Sequence, residues 1–259
     1  MIKFSFYPEG RRAIKLKIHS REVVFKALSG SINRNLNEGT SDRDIKYFVL
    51  PTFNDLYSGI LYKNFQTSDA EDIEIHDVRK LEKLLSNSNL TFLELLYSIE
   101  IETFGYPETE RLLEMRDDIA TINLRSLFNS CFGMYRGQMK DLTKPNSEIQ
   151  RNLIAKHGYN TKKAMMSLHF LSFLIKFYSL GFKDFKSAIT YEGASREYML
   201  GIKHGGYSLE EFRKIADLNE KNALDLEREY FENPFNKETY GEIRNILRSL
   251  VKRHLGMLE

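Results

Sequence analysis

Two apolar runs, VVFKAL (Val23 to Leu28) and IKYFVL (Ile45 to Leu50), bracket the polar stretch SGSINRNLNEGTSDRD (Ser29 to Asp44). This pairing constrains the fold more than any other feature of the chain. Each run is short and apolar, with β-branched or aromatic residues, and reads as a strand. The first ends in a small-residue turn, Ser-Gly-Ser. The second is preceded by two carboxylates, Asp42 and Asp44, at positions i and i+2. Such positions share one face of a strand, so the two side chains project together. Like charges held that close repel unless something neutralises them. A hard divalent cation is the usual remedy, and Mg²⁺ is typically held by one or two carboxylates plus substrate phosphates. At Gly30 no side chain keeps backbone N–H groups from a phosphate, and Ser31 adds a hydroxyl. One loop thus offers sites for a metal and a triphosphate side by side. Singly, a Gly-Ser pair is most often only a turn, and Asp-x-Asp only two solvated residues; order and spacing carry the inference.

A further strand is expected at DIEIHDV, Asp72 to Val78, where Ile73 and Ile75 alternate with Asp72, Glu74 and His76. In two-metal phosphoryl transfer, ions held by carboxylates clamp the attacking and leaving oxygens. One carboxylate can also help take the proton of the attacking hydroxyl. Asp72 and Glu74 both qualify on periodicity. His76 reads as a solvated or supporting residue, since Mg²⁺ prefers oxygen. Val78 to Ser86 is an amphipathic helix with Arg79 and Lys80 in its first turn, either solvated or in reach of phosphate. Glu94, among Leu93, Leu95 and Leu96, calls first for a structural salt bridge, with Arg79 as the partner, and second for a role in the site.

Residues 1–8 read as a short strand. Arg11 to His19, with Ile14 and Ile18 at i and i+4, read as a short helix, and Phe53 to Leu61 as a helical turn or crossing loop. From about residue 107 the period becomes helical. PETERLLEMRDDIA opens with Pro107 near a helix start. Ile122 to Leu142 is a second long helix, whose Gly133 and Gly137 suggest a close helix contact and whose Arg136 and Lys140 form a basic strip. Residues 144–148 are a linker, and Phe170 to Phe182 a buried helix. Ser208 and Glu211 form a capping box. The last helix, Lys237 to Leu255, buries Ile243, Ile246, Leu247, Leu250 and Val251. Its Arg244, Arg248, Lys252 and Arg253 make a solvated or RNA-facing surface.

A net charge of +2 over 259 residues commits the chain to neither nucleic acid nor membrane. The single cysteine, Cys131, fits a reducing compartment and reads as packing. The N-terminal MIKFSFYPEGRR lacks the apolar core of a leader, and the Phe170 to Phe182 run is too short to span a bilayer. A cytoplasmic protein is expected. Its abundant Lys, Asn and Ile suggest an AT-rich bacterial or phage genome.

Gly30-Ser31, followed by Ser41-Asp42-Arg43-Asp44 leading an apolar strand, resembles the signature of the DNA polymerase β-like nucleotidyltransferase superfamily. Within it, the chain is most similar to the RNA-ligase-associated (RlaP-like) subgroup. The likeness continues through Asn37 in the loop, DIEIHDVRKL, NSNLTFLELLYS, HGYNTKKAMMSLHF and SREYMLGIKHGGYSLEEF, from about residue 27 to about 216. Gly158, Tyr159, Lys162 and Ala164 follow the subgroup. Asn160 stands in place of its Asp, Met166 of its His and His169 of its Arg.

The resemblance implies an α+β fold. A polymerase β-like nucleotidyltransferase domain, a small mixed sheet with flanking helices, would occupy 1–105. A helical domain would occupy 106–259, with the active site in the cleft between them. The implied reaction is Mg²⁺-dependent (or Mn²⁺-dependent) transfer of NMP from an NTP to an acceptor, an RNA end being favoured, with release of pyrophosphate. Asp42, Asp44 and Asp72 would be catalytic and hold the metal, with Glu74 as the alternative to Asp72. Gly30, Ser31, Lys80 and Lys162 would contact the nucleotide. Two other outcomes stay open: a catalytically inactive nucleotide-binding or RNA-binding protein on the same fold, and AMPylation of a protein side chain.

Overall fold

The two apolar runs lie side by side at the centre of a mixed sheet. The computed structural model describes residues 3–5, 15–39, 41–68 and 71–257. Its strands are β1 (Lys3–Ser5), β2 (Lys15–Ile18), β3 (Arg21–Ser29), β4 (Arg43–Val49), β5 (Lys63–Thr67), β6 (Glu71–Asp77) and β7 (Ile101–Thr103). They are ordered β1-β2-β3-β4-β6-β5, and β7 also pairs with β3. β4 and β6 run parallel; β3 and β4 are antiparallel. β3 and β4 are the most buried strands, which is why their sequences read as near-continuous apolar runs.

The helices are α1 (Gly30–Asn33), α2 (Phe53–Tyr57), α3 (Lys80–Ser86), α4 (Leu90–Leu93), α5 (Pro107–Glu114), α6 (Arg116–Ala120), α7 (Leu124–Lys140), α8 (Glu148–His157), α9 (Thr161–Ser179), α10 (Phe185–Ile189), α11 (Gly193–Lys203), α12 (Leu209–Leu224), α13 (Glu227–Phe231) and α14 (Lys237–His254). A 3-10 turn, Glu94–Tyr97, follows α4.

The chain forms two compact units. The first comprises Met1–Asn33, Asn37–Ile122 and Asn236–Glu259; the second comprises Arg34–Leu36 and Asn123–Phe235. These units do not follow a cut at 105/106. α5, α6 and the last helix belong with the sheet. Ile243, Ile246, Leu247 and Leu250 of α14 are buried, and α14 packs on α3, α5 and α6. Its Arg253 Nε donates to Glu108 Oε1 at 2.8 Å and Tyr240 Oη to Glu82 Oε1 at 2.8 Å. In the second unit α9 is central. Leu168, Leu171, Phe173, Leu174 and Phe177 are all buried, each such side chain stabilising the unit by roughly 1.5–3 kcal/mol. Asn160 caps α9 by accepting from Lys163 N, and the capping box of Ser208 and Glu211 opens α12.

Several expectations are corrected. Residues 15–18, expected in a helix, form β2, while 11–14 lie outside the described residues. The i,i+4 spacing of Ile14 and Ile18 is also two strand repeats. The turn that settles the matter is His19-Ser20, with φ 47° and 67°, a two-residue hairpin without the usual Asn-Gly signal. β5 has no counterpart among the strands expected from the sequence. It is an edge strand, largely exposed, so no apolar run marks it. PETERLLEMRDDIA breaks at Met115 into α5 and α6. Gly133 and Gly137 face open space and mediate no close helix contact. Arg79 does not pair with Glu94. Its guanidinium donates to both oxygens of buried Asp77, at 2.9 and 2.7 Å.

Candidate active site

Cross-strand register arranges the polar face of β3, β4 and β6 into three rows. Ser29, Asp44 and Asp72 form the first; Ala27, Lys46 and Glu74 the second; Phe25, Phe48 and His76 the third. Register partners share a face of the sheet.

The third row is core. Phe25 and Phe48 have ring centroids 5.5 Å apart, His76 stacks on Phe48 at 5.7 Å, and Phe92 of α4 meets the His76 ring edge-on at 5.4 Å. His76, read from the sequence as solvated or supporting, is buried. Its Nε2 lies 2.9 Å from Glu74 Oε2, so the supporting role is the one the structure gives it.

The second row neutralises itself. Lys46 Nζ sits 2.6 Å from Glu74 Oε1. The hydrogen bond from His76, then that from Lys46, hold the Glu74 carboxyl at a pKa of about 2 against the opposing effect of burial. Glu74 is therefore an ionised carboxylate with both oxygens engaged. Lys46 escaped the sequence reading because IKYFVL looks apolar. The signal was its position, i+2 from Asp44 on the same strand.

The first row is different. Asp44 and Asp72 are register partners on neighbouring parallel strands, with Cα atoms about 4.8 Å apart. Both are half-buried. Like charges placed side by side on one sheet face repel. Asp42 lies just before β4 and is exposed. It is delivered by a turn in which Ser41 N donates to Glu38 O and Glu38 N to Ser41 Oγ, both at 2.9 Å. Arg43, between the two aspartates, points the other way, its Nη2 2.6 Å from Glu100 and its Nε 3.6 Å from Glu71.

The Gly-Ser turn closes over the first row. Gly30 has φ +75°, and a Cβ there would overlap the Asp44 carboxylate. Only glycine satisfies both the backbone conformation and the close approach. Ser29 Oγ donates to Asp44 O at 3.2 Å. Ser31 follows in α1, which is pinned by buried Asn33: Nδ2 donates to Glu94 O at 3.2 Å, and Oδ1 accepts from Ile99 N at 3.0 Å. Asn33 was not singled out from the sequence, where it reads as one polar loop residue among many.

The row fits a hard divalent cation by donor chemistry: carboxylate oxygens in register, and a glycine cradle against one of them. Among the described residues no three His, Cys, Asp or Glu side chains are gathered into a ready-made cage. Such a row would take its remaining ligands from phosphate and water, as Mg²⁺ sites commonly do.

The other two candidates lie elsewhere. Lys80 is past the far end of β6, five strand residues beyond Asp72, or roughly 17 Å; burial first, then Lys63, lowers its pKa. Lys162 is exposed on the first turn of α9 in the second unit. There Asn160, Lys162, Lys163 and Met166 line a cavity of about 440 Å³. Arg34 Nη1 donates to Met166 Sδ at 3.4 Å, and His169 Nδ1 lies 3.0 Å from Tyr191 Oη.

A mixed sheet carrying in-register aspartates under a Gly-Ser turn, with helices following, is the polymerase β-like nucleotidyltransferase fold. Comparison with family models agrees. The chain belongs to the RNA repair pathway DNA polymerase beta family (RlaP), whose model matches residues 12–238. No curated protein matches the chain. Among the described residues no helix is long and apolar enough to cross a membrane.

Proposed function

We propose that the protein transfers NMP from an NTP to an acceptor hydroxyl or phosphate with release of pyrophosphate, dependent on Mg²⁺ or Mn²⁺. The observation that carries this reading is the register pairing of Asp44 with Asp72 beneath Gly30. Asp44 and Asp72, joined by Asp42, would hold the metal. Asp72 is favoured over Glu74 because Lys46 and His76 already engage both Glu74 oxygens. When bound, divalent metal neutralises the phosphates and polarises the α-phosphorus centre.

The chain's own residues do the rest. Gly30 lets the backbone come up to the β- and γ-phosphates, and Ser31 adds its hydroxyl. One aspartate of the row accepts the proton of the attacking hydroxyl. The acceptor oxygen bonds to the α-phosphorus as the bond to the bridging α–β oxygen breaks, and that oxygen leaves with pyrophosphate. Membership in an RNA repair family favours an RNA end as acceptor.

The test is incubation with each α-labelled NTP, Mg²⁺ or Mn²⁺ and a pool of small RNAs, beside Asp42→Ala/Asp44→Ala. Label on RNA only with the intact protein supports the reading and names the nucleotide. Label on protein keeps the reaction and changes the acceptor class to AMPylation. No label anywhere, with no NTP binding by calorimetry, sinks the proposal.

A further inference from the structure

α14 turns a basic stripe outward. Arg244, Arg248 and Lys252 recur every fourth residue, so they stand in line about 6 Å apart along the helix. With Arg79 and Glu82 beside α3 they line a groove of about 250 Å³, floored by Leu247 and Val251.

Which of these charges are already used decides what the groove can do. Arg79 is held by Asp77. Glu82 accepts from Tyr240 and lies 3.7 Å from Arg244 Nε, so the groove's one acid is balanced within it. Arg253, next along the helix, is taken by Glu108. Arg248 and Lys252 have no ion pair among the described residues. An ordinary solvated face distributes both signs. Here two uncommitted cations flank an apolar floor, with one neutralised acid. That combination suits a polyanion whose phosphates meet the cations while its less polar parts rest on Leu247 and Val251.

We infer that the α3–α14 groove binds the phosphodiester backbone of single-stranded RNA, at Arg248 and Lys252. The choice of RNA rests on the proposed acceptor. The groove is a second site, not part of the carboxylate row. Arg79 lies beyond the end of β6 opposite Asp72, more than roughly 17 Å away along the strand. Covering that distance takes more than one nucleotide of an acceptor strand. The groove therefore holds the body of an acceptor rather than its reacting end.

The experiment measures the affinity of an unstructured pyrimidine RNA for the full chain by fluorescence anisotropy across a salt series. Arg248→Glu/Lys252→Glu is compared with Lys221→Glu/Lys237→Glu, an equal charge change at exposed positions elsewhere. The groove variant should lose about tenfold or more in affinity, and its salt slope should fall by about 1.4, at about 0.7 per contact in single strands. The comparison variant should stay near wild type, and ATP binding by calorimetry should be unchanged in both. Wild-type affinity in the groove variant, or equal losses in both variants, overturns the inference. So does binding of the groove to phosphatidylserine vesicles by a protein that binds no RNA. RNA binding through the groove without nucleotidyl transfer would leave this inference standing and remove the reading of the aspartates. Transfer with undiminished RNA affinity in the groove variant would do the reverse.

Discussion

Two adjacent rows of the same strands treat charge in opposite ways. At Lys46 and Glu74 the register opposes unlike charges, 2.6 Å apart, and His76 completes the network. One step along, at Asp44 and Asp72, the same register opposes like charges. Backbone geometry and strand direction are common to both, so the difference lies in the side chains alone. The second row pairs its charges within the protein. The first sets two carboxylates side by side, an arrangement that a bound cation would favour. Two carboxylates in register are the physical ground on which the first row is proposed as the site.

The comparison breaks most visibly in catalysis. Asp44→Asn or Asp72→Asn should lower label transfer about a thousandfold or more, about 4 kcal/mol at 1.36 kcal/mol per tenfold, while circular dichroism stays native. Glu74→Gln should lower it less than about tenfold; an equal loss would merge the rows. Gly30→Ala should cost about 1–3 kcal/mol in denaturant unfolding and also depress transfer, since the new methyl displaces the Asp44 carboxylate.

Glu74→Gln should cost about 1–3 kcal/mol at pH 7, leaving buried Lys46 without its partner, the half-exposed carboxylate keeping the value toward the low end. The sign with pH follows from the depressed pKa. A carboxyl near its unfolded value of about 4.3 in the unfolded chain and at about 2 in the fold stabilises fully above the unfolded value. That stabilisation is lost as pH falls toward 2. The wild-type advantage over Glu74→Gln should therefore be constant above about pH 5 and vanish near the folded pKa. The smallest effect has the opposite sign. Without metal, Asp72→Asn should raise stability by up to about 1 kcal/mol, because it removes a repulsion between partly solvated groups.

What the sequence disclosed was local. The runs of β3 and β4, the alternation of β6 and the capping box of Ser208 and Glu211 all follow from spacing along one strand or helix. What stayed hidden depends on partners distant in sequence or on positions without an apolar signature. β5 is an exposed edge. The β2–β3 turn uses His19 and Ser20 where glycine or asparagine would announce it. The pairing of Glu74 with Lys46 required knowing that β4 and β6 lie parallel in that register. The return of α14 to the first unit required knowing what its apolar stripe covers. At the candidate site, Asp44 and Gly30 were legible together, whereas the choice between Asp72 and Glu74 was not. Periodicity gives both the same face; the register, which sets Asp72 beside Asp44 and Glu74 beside Lys46, is what favours Asp72 in the proposal.

The central claim is that the first row, and not the second, binds the cation. Electron paramagnetic resonance of Mn²⁺ titrated with a non-hydrolysable NTP, for wild type, Asp72→Asn and Glu74→Gln, tests it most directly. The account predicts bound Mn²⁺ in wild type and Glu74→Gln, with most of it lost in folded Asp72→Asn. Retention in Asp72→Asn together with loss in Glu74→Gln would contradict it.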